Sequence, residues 1–496
     1  MKESVCYDVC IVGAGPHALS VLSALHTPVA SLSEQQHTRR RRGSRSKVRS
    51  EEVPRRPSVL VMDPSGEWLH EWSERFAALD IAFLRSPSWA HPDAFSREAL
   101  VEFARREERL EELRAVDLSA STLHGSPDVE AGYFSLPGTA LFGDFCAELA
   151  RSLPHTLVRG RVMDIASASD TYELTVHTAN TERCCDQPGC KKDLSESRYH
   201  AKHVVLALGA SGPPNIPRAF AGLASQTEGA ARPRVVHTSD WRNLAFVGTD
   251  SADTVLVIGG GLSAAQAALL AVKRGARKTI LCSRRPLVSR HYDIPLEFMD
   301  RRISNKWKEW HFLAGAERAA YIKRERGGGS VPPDYLEALD DAVLDGRLEV
   351  VVNSVRSATG PGEAKKEVTA TKWEGVRVIF DDDSTLEASQ VVLATGGTQD
   401  SLKLPLVAAL AERFRLPLRE GLPLVDQDLL WHDGISVVGA LAAGQLGPDA
   451  GNLTGARRAA TMCADTIGVF DDLREGGAIL GNLFSVLASG DSEEEE

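Results

Sequence analysis

The chain has 496 residues, about three times an average domain, so two or three cores are expected and a small binding module is excluded. Its hydrophobic content of 43% is that of a soluble globular protein, and no apolar run reaches the roughly 20 residues a membrane helix needs. A balance of 57 basic against 68 acidic residues, net −11, argues against a protein held to nucleic acid by phosphate contacts.

Eight cysteines are too few for a disulfide scaffold, and the first strand-like segment begins by residue 5, leaving no room for a signal peptide. A reducing, cytoplasmic setting is the expectation. Tyr7-Asp8-Val9-Cys10-Ile11-Val12, then Gly13-Ala14-Gly15-Pro16-His17-Ala18, then small and apolar residues to His26 read as a buried strand, a glycine turn and a helix. The next strand, Val59-Leu60-Val61-Met62-Asp63, is delayed by a Ser/Arg-rich stretch over residues 27–57 with almost no apolar residues. From Arg39 to Arg56 it carries nine basic residues against Glu51 and Glu52. This composition predicts a disordered, solvated insertion, with a nuclear-targeting or anionic-surface patch as the alternative. The chain ends in an acidic tail, Glu493 to Glu496.

A second strand, turn and helix follow at Thr254-Val255-Leu256-Val257-Ile258, Gly259-Gly260-Gly261-Leu262-Ser263-Ala264, and on to Arg274; the next strand, Lys278 to Cys282, leads into Ser283-Arg284-Arg285. Two further segments echo each other: Val204-Val205-Leu206-Ala207-Leu208-Gly209 and Val391-Val392-Leu393-Ala394-Thr395-Gly396-Gly397. In a Gly-x-Gly-x-x-Ala turn the first glycine bends sharply, the second admits a pyrophosphate, and the small third residue packs helix on strand, with phosphate at the positive helix end. Both matches stand between a strand and a helix, the context the motif demands. Gly13, Gly15, Pro16 and Ala18 are therefore expected at one dinucleotide, and Gly259, Gly261, Ser263 and Ala264 at another.

What ends each second strand separates the two sites. Asp63 is placed to accept hydrogen bonds from an adenosine ribose, which suits FAD. Ser283, Arg284 and Arg285 suit a 2′-phosphate, which an acid would repel, and so point to NADPH over NADH. The predicted fold is α/β with two Rossmann-like dinucleotide-binding domains. A discontinuous FAD domain, residues 1–240 and 386–496, is interrupted by an NADPH domain over 241–385.

With these motifs the chain resembles the two-dinucleotide flavoprotein monooxygenases, and in detail their lysine and ornithine N-hydroxylating group. The resemblance runs through Trp68, His70 and Trp72, through Leu79-Asp80-Ile81-Ala82-Phe83-Leu84-Arg85-Ser86-Pro87 and His91-Pro92-Asp93, and through Phe134 to Cys146, where the family's leading arginine is absent. It continues at His291-Tyr292-Asp293-Ile294-Pro295-Leu296-Glu297-Phe298, without the family's asparagine. Near the C-terminus it covers Ile435 to Ala440, Gln445-Leu446-Gly447-Pro448 and Asn452 to Arg457. Phe220, Gly222, His237 and Trp241 are similar, with a longer spacer, to the fingerprint of Baeyer-Villiger and flavin-containing monooxygenases.

The resemblance implies that NADPH reduces FAD and that O2 then reacts through a flavin hydroperoxide to oxygenate a small nucleophilic substrate, an amine nitrogen or similar heteroatom. It implies catalytic roles for Arg85, His237 and Asp293, and flavin-side contacts for Trp72, Gly439, Leu446, Gly447 and Asn452. The partners implied are a small-molecule substrate and O2, and a homo-oligomer of the kind this group forms. The absent arginine and asparagine are positions that would touch substrate, so its identity is left open. A disulfide reductase of the same architecture needs a redox cysteine pair, and no Cys-x-x-Cys occurs. Cys184, Cys185 and Cys190 lack a fourth ligand at matching spacing, so no metal is expected. The remaining alternative is a regulatory flavoprotein resembling the oxidative stress-induced growth inhibitors.

Overall fold

The computed structural model describes residues 5–26, 56–116, 134–179, 194–209, 212–224, 233–299, 306–360 and 375–469. Most of the basic stretch, Cys184, Cys185, Cys190 and the acidic tail lie outside the described residues. In chain order the strands that build the two main sheets are β1 Cys6–Val12, β2 Val59–Asp63, β3 Thr156–Arg159, β4 Arg161–Ala168, β5 Thr171–Ala179, β6 Leu194–Leu206, β7 Val235–His237, β8 Thr254–Ile258, β9 Lys278–Ser283, β10 Leu348–Val352, β11 Gln390–Leu393, β12 Leu430–His432 and β13 Ile435–Val437. The helices that matter below are α1 Pro16–Leu25, α2 His70–Ala78, α3 Thr139–Ser152, α4 Leu262–Lys273, α5 Lys306–Phe312, α6 Gly315–Arg326, α7 Pro333–Leu344 and α8 Leu453–Thr466.

Both apolar runs that precede the glycine turns are inner strands of a largely parallel sheet. The first sheet has the order β12-β13-β6-β1-β2-β3, with β4 and β5 joined to it through β6. β1 pairs in parallel with β2 (Ile11 opposite Val61) and with β6 (Ile11 opposite Val205). The second sheet, β10-β9-β8-β11-β7, is parallel throughout, with Leu256 opposite Ile280 and Val391. Strands covered on both faces read as unbroken apolar runs, which is why neither β1 nor β8 alternates. Along β8 the side chains divide by parity: Val255 and Val257 join α4 and α7 in one core, and Leu256 joins the opposite core under the small sheet of Val355–Thr359, Val376–Phe380 and Thr385–Ala388.

The expected boundaries shift. β7 and β11 belong to the second sheet, so that domain reaches beyond residues 241 and 385 at both ends. In the other direction Tyr292, Ile294, Phe298, Trp307, Trp310, Tyr321 and Ile322 pack into the core of the first sheet. Composition marks loops, whereas a parallel sheet recruits partners from distant chain, so the boundary follows register. The echo between residues 204–209 and 391–397 also finds its reason here, since β6 and β11 are the strands that flank β1 and β8 behind the two glycine turns.

Candidate active site

The first turn is built as its sequence requires. Gly13 has φ +110°, and a Cβ there would meet Ala207 O at 2.4 Å, so the chain leaving β6 closes against it. Its amide donates to Met62 O at 2.7 Å. Gly15, by contrast, has an ordinary φ of −86° and no atom within 4 Å of a Cβ position. The space beside it is open at the N-terminus of α1, where a phosphate is favoured. Asp63 accepts from the Ala14 amide at 3.1 Å and from the amide and hydroxyl of Ser65, which fixes its carboxylate beside the turn. These features fit FAD: a cradle at Gly15, a positive helix end and an acid at the close of β2.

A C-terminal segment comes to the same place. His17, in the first turn of α1, lies 3.1 Å through Nε2 from Ala450 O, and Gly439 packs on its ring. Gly447, at φ +92°, lies against Trp307 and Trp310. Arg458 chelates the fully buried Asp449 and donates to Leu446 O. The expected flavin-side residues Gly439, Leu446, Gly447 and Asn452 are thus gathered beside α1 by residues from α5, α6 and α8.

Asn452 stands at the N-terminus of α8 with its side chain turned to Asp293 and Arg326 instead of to the helix. Its Nδ2 donates to Asp293 Oδ1 at 2.8 Å, while Arg326, the last residue of α6, donates to Asp293 Oδ2 at 2.8 Å, to Asn452 Oδ1 at 3.2 Å and to Pro448 O at 2.8 Å. The structure therefore joins two of the expected residues, Asp293 and Asn452, through an arginine that sequence reasoning missed. Nothing in the motif pattern around residue 326 marks it.

Three expected residues are placed differently. Arg85 faces backbone: it donates to His291 O, Arg290 O and both Ser330 O and Ser330 Oγ, at 2.8 to 3.1 Å. Burial, with Arg326 and Arg290 nearby, brings its pKa down to about 10, so it stays charged near neutrality. His237 ends β7 and is buried; the Ser239 amide donates to its Nδ1, which leaves the ring proton on Nε2. Trp72 stacks on Phe76 at 4.0 Å and leans on Phe142, in a groove of about 510 Å³ between α2 and α3. Packing accounts for that position.

The second turn repeats the first up to a point. A Cβ on Gly259 would meet Ala394 O at 2.4 Å, and the Gly259 amide donates to Cys282 O at 2.9 Å. Ala264 is buried on the strand side and Ser263 is exposed. Ser283 is buried with its hydroxyl on Arg285 O, and Arg284 and Arg285 are exposed. Yet the second glycine is covered. A Cβ on Gly261 would stand 3.0 Å from Gly329 Cα, and one on Gly329 would stand 2.7 Å from Gly261 Cα.

The sequence model of the L-lysine 6-monooxygenase/L-ornithine 5-monooxygenase family matches residues 142–399, just over half of the chain. The chain belongs to that family. No curated protein matches the chain by sequence. Solved structures share its fold over nearly the whole length: an FAD-bound cadaverine monooxygenase from Erwinia amylovora (15% identity, TM-score 0.62, covering 94% of this chain and 95% of that one), the reduced form of an ornithine hydroxylase from Pseudomonas aeruginosa (17%, 0.63, 93% and 99%), and an ornithine N-hydroxylase from Kutzneria with reduced FAD, NADP+ and L-ornithine (17%, 0.62, 95% and 100%). At these identities the likeness establishes the fold. The lysine/ornithine monooxygenase family membership bears out an FAD- and NADPH-dependent flavoprotein monooxygenase.

Among the described residues no helix is long and apolar enough to cross a membrane, and no group of three His, Cys, Asp or Glu is arranged to hold a metal ion. The five described cysteines are unpaired.

Burial of two histidines predicts an acid-sensitive fold. His17 and His91 have pKa values pushed below the usual histidine range by desolvation, His91 well below it, with Arg457 adding repulsion. His91 donates through Nε2 to Arg97 O, and its Nδ1 faces Arg457. A folded-state pKa below the unfolded one means that the unfolded chain takes up protons first. Stability is fully present above about pH 6.5 and falls as pH drops below it, by up to about 1.4 kcal/mol per unit for each such histidine. The melting temperature is expected to fall by several degrees between pH 7.5 and 5.5. A melting temperature that is flat over that interval contradicts the assignment.

Proposed function

We propose that this chain N-hydroxylates a small amine-bearing substrate, with FAD at the first glycine turn, NADPH delivered from the second, and the substrate beside Asp293, Arg326 and Asn452. The observation that carries this reading is convergence: α1 with its open Gly15, the segment around residues 439–452 and the Asp293–Arg326–Asn452 network meet through direct contacts. Bound FAD would supply electron acceptance from NADPH and delivery of one oxygen atom from O2. The protein's part is to bind, orient and exclude water. Gly13, Gly15, Pro16, Ala18 and Asp63 hold the adenosine diphosphate half; Gly439, Leu446, Gly447 and Asn452 flank the ring; Gly259, Ser263, Ser283, Arg284 and Arg285 meet NADPH. Trp307 and Trp310 seal the Gly447 loop from the α5 side.

Only a neutral amine is nucleophilic. Arg85 lies near Arg290 and Arg326 on one side of the balance and Asp293 and Asp334 on the other, and Asp293 is already paired with Arg326. A site with this excess of cations disfavours a protonated amine and so favours the reactive form.

The test is an anaerobic titration of the FAD-loaded protein with NADPH and, separately, NADH, followed by O2 with ornithine, lysine or cadaverine present. Bleaching of the flavin's visible band by NADPH alone and formation of a hydroxylamine product are expected. A band that survives excess NADPH would shift the reading to a regulatory flavoprotein with little turnover, which the covered Gly261 favours.

A further inference from the structure

The backbone that lies on Gly261 comes from residues 327–330, Gly-Gly-Gly-Ser, immediately after α6. Gly327 and Gly328 take φ of +64° and +83°, a left-handed path that other residues resist. Gly328 passes beside the guanidinium of Arg285, one of the two arginines proposed for the 2′-phosphate. Beyond the glycines the chain is stitched down again, with the Val331 amide on Val288 O and the Arg290 amide on Val331 O. Between these two fixed ends only Ser330 has a side chain that can be gripped, and Arg85 grips it twice, through the carbonyl and the hydroxyl. The same guanidinium reaches back to Arg290 O and His291 O, two residues before Asp293.

We propose that residues 327–330 are a strap lying over the second nucleotide site, and that NADPH displaces it by taking the face of Gly261, which breaks the Arg85–Ser330 contacts. This rests on the reading above, in which NADPH enters at that turn. The physical argument is exclusion. The purpose of a second glycine in such a turn is close approach of a pyrophosphate to backbone, and here another backbone already occupies that approach. Three consecutive glycines carry no side-chain anchors and have the highest conformational freedom, so the strap is held chiefly by its ends and by Arg85. Once Ser330 leaves, Arg85 stays held by its two bonds to residues 290 and 291, and the N–H groups freed from Ser330 become available within electrostatic range of Asp293. Coenzyme occupancy is thereby linked to the charge presented to the substrate.

Hydrogen exchange on the FAD-loaded, full-length protein with and without NADP+ tests this directly. The expected result is protection gained over residues 259–264 and lost at Ser330, the one buried residue between the two fixed ends. Protection gained at both places together overturns the strap while leaving the coenzyme site in place.

Gly329→Ala gives an independent arm. No positive φ is found at Gly329, so the backbone accepts alanine, but the added methyl would stand 2.7 Å from Gly261 Cα and force the strap away. NADP+ should then bind about 3- to 10-fold more tightly, because the competent fraction rises, with flavin content unchanged. Equal or weaker binding contradicts the proposal. NADP+ binding to neither protein overturns the strap and, with it, the coenzyme half of the proposed function, an outcome distinct from joint protection.

Discussion

Replacing Gly15 by leucine is expected to leave the protein folded and unable to hold flavin. The two glycines of the first turn have separate jobs, and the structure distinguishes them. Gly13 is held at φ +110° with Ala207 O where a side chain would go, so Gly13→Ala forces either the turn or β6 to move and should cost about 3 kcal/mol or more of stability. Gly15 has an unstrained backbone and nothing within 4 Å of its Cβ position. Leucine fits there at a stability cost of about 1 kcal/mol or less. What it fills is the space a pyrophosphate would use against the N-terminus of α1. Loss of those amide contacts should weaken FAD binding by at least about 100-fold, close to 3 kcal/mol. Thermal melts of the FAD-free proteins, alongside FAD titrations followed by flavin fluorescence, read the two effects separately. A Gly15→Leu protein that binds FAD as wild type does would put the flavin elsewhere.

The second large effect is expected at Arg326. Changing it to methionine keeps the stem but removes donors from Asp293 Oδ2, Asn452 Oδ1 and Pro448 O at once. Hydrogen bonds to charged groups contribute about 1.5 to 3 kcal/mol each, and a partner left unsatisfied costs more than a pair removed together. Both side chains of the Arg326–Asp293 pair are partly exposed, at 39% and 27%, so the stability loss should lie near the low end, about 1 to 2 kcal/mol. The larger consequence is positional. Asn452 would stay tied to Asp293 alone, and the loop from Gly447 to Asn452 would lose its tether to α6. Misplacement on the ångström scale lowers rates by about 100-fold, so kcat/KM should fall by that order with flavin content kept. Arg326→Met combined with Asp293→Asn should cost less than the sum of the single changes, because both act on one network. Additive effects would show that Arg326 works through some other contact.

Much of the molecule is legible in its sequence because its decisive features are local. A glycine turn is a matter of a few consecutive residues between an apolar run and a small-residue helix, and both turns have the predicted backbone, down to the tight first glycine and the acid at Asp63. Cofactor class follows from that same short range. The sequence also gave two matching segments, residues 204–209 and 391–397, whose meaning needed the sheets: each is the strand that presses on its own first glycine.

What only the tertiary structure decided is long-range. Arg326 meets Asp293 across 33 residues of chain and Asn452 across 126, and Arg85 reaches residues 290, 291 and 330. An arginine carries the same sequence signature whether it faces a substrate or a backbone carbonyl, so the acceptors that packing puts around Arg85 could not be read from its place in a motif. The domain boundaries moved for a related reason, since strand register, not composition, assigned β7 and β11 to the second sheet. Local chemistry thus fixes which nucleotides the chain is built to hold. Which side chains stand between them depends on how two cores, drawn from alternating stretches of one chain, close on each other.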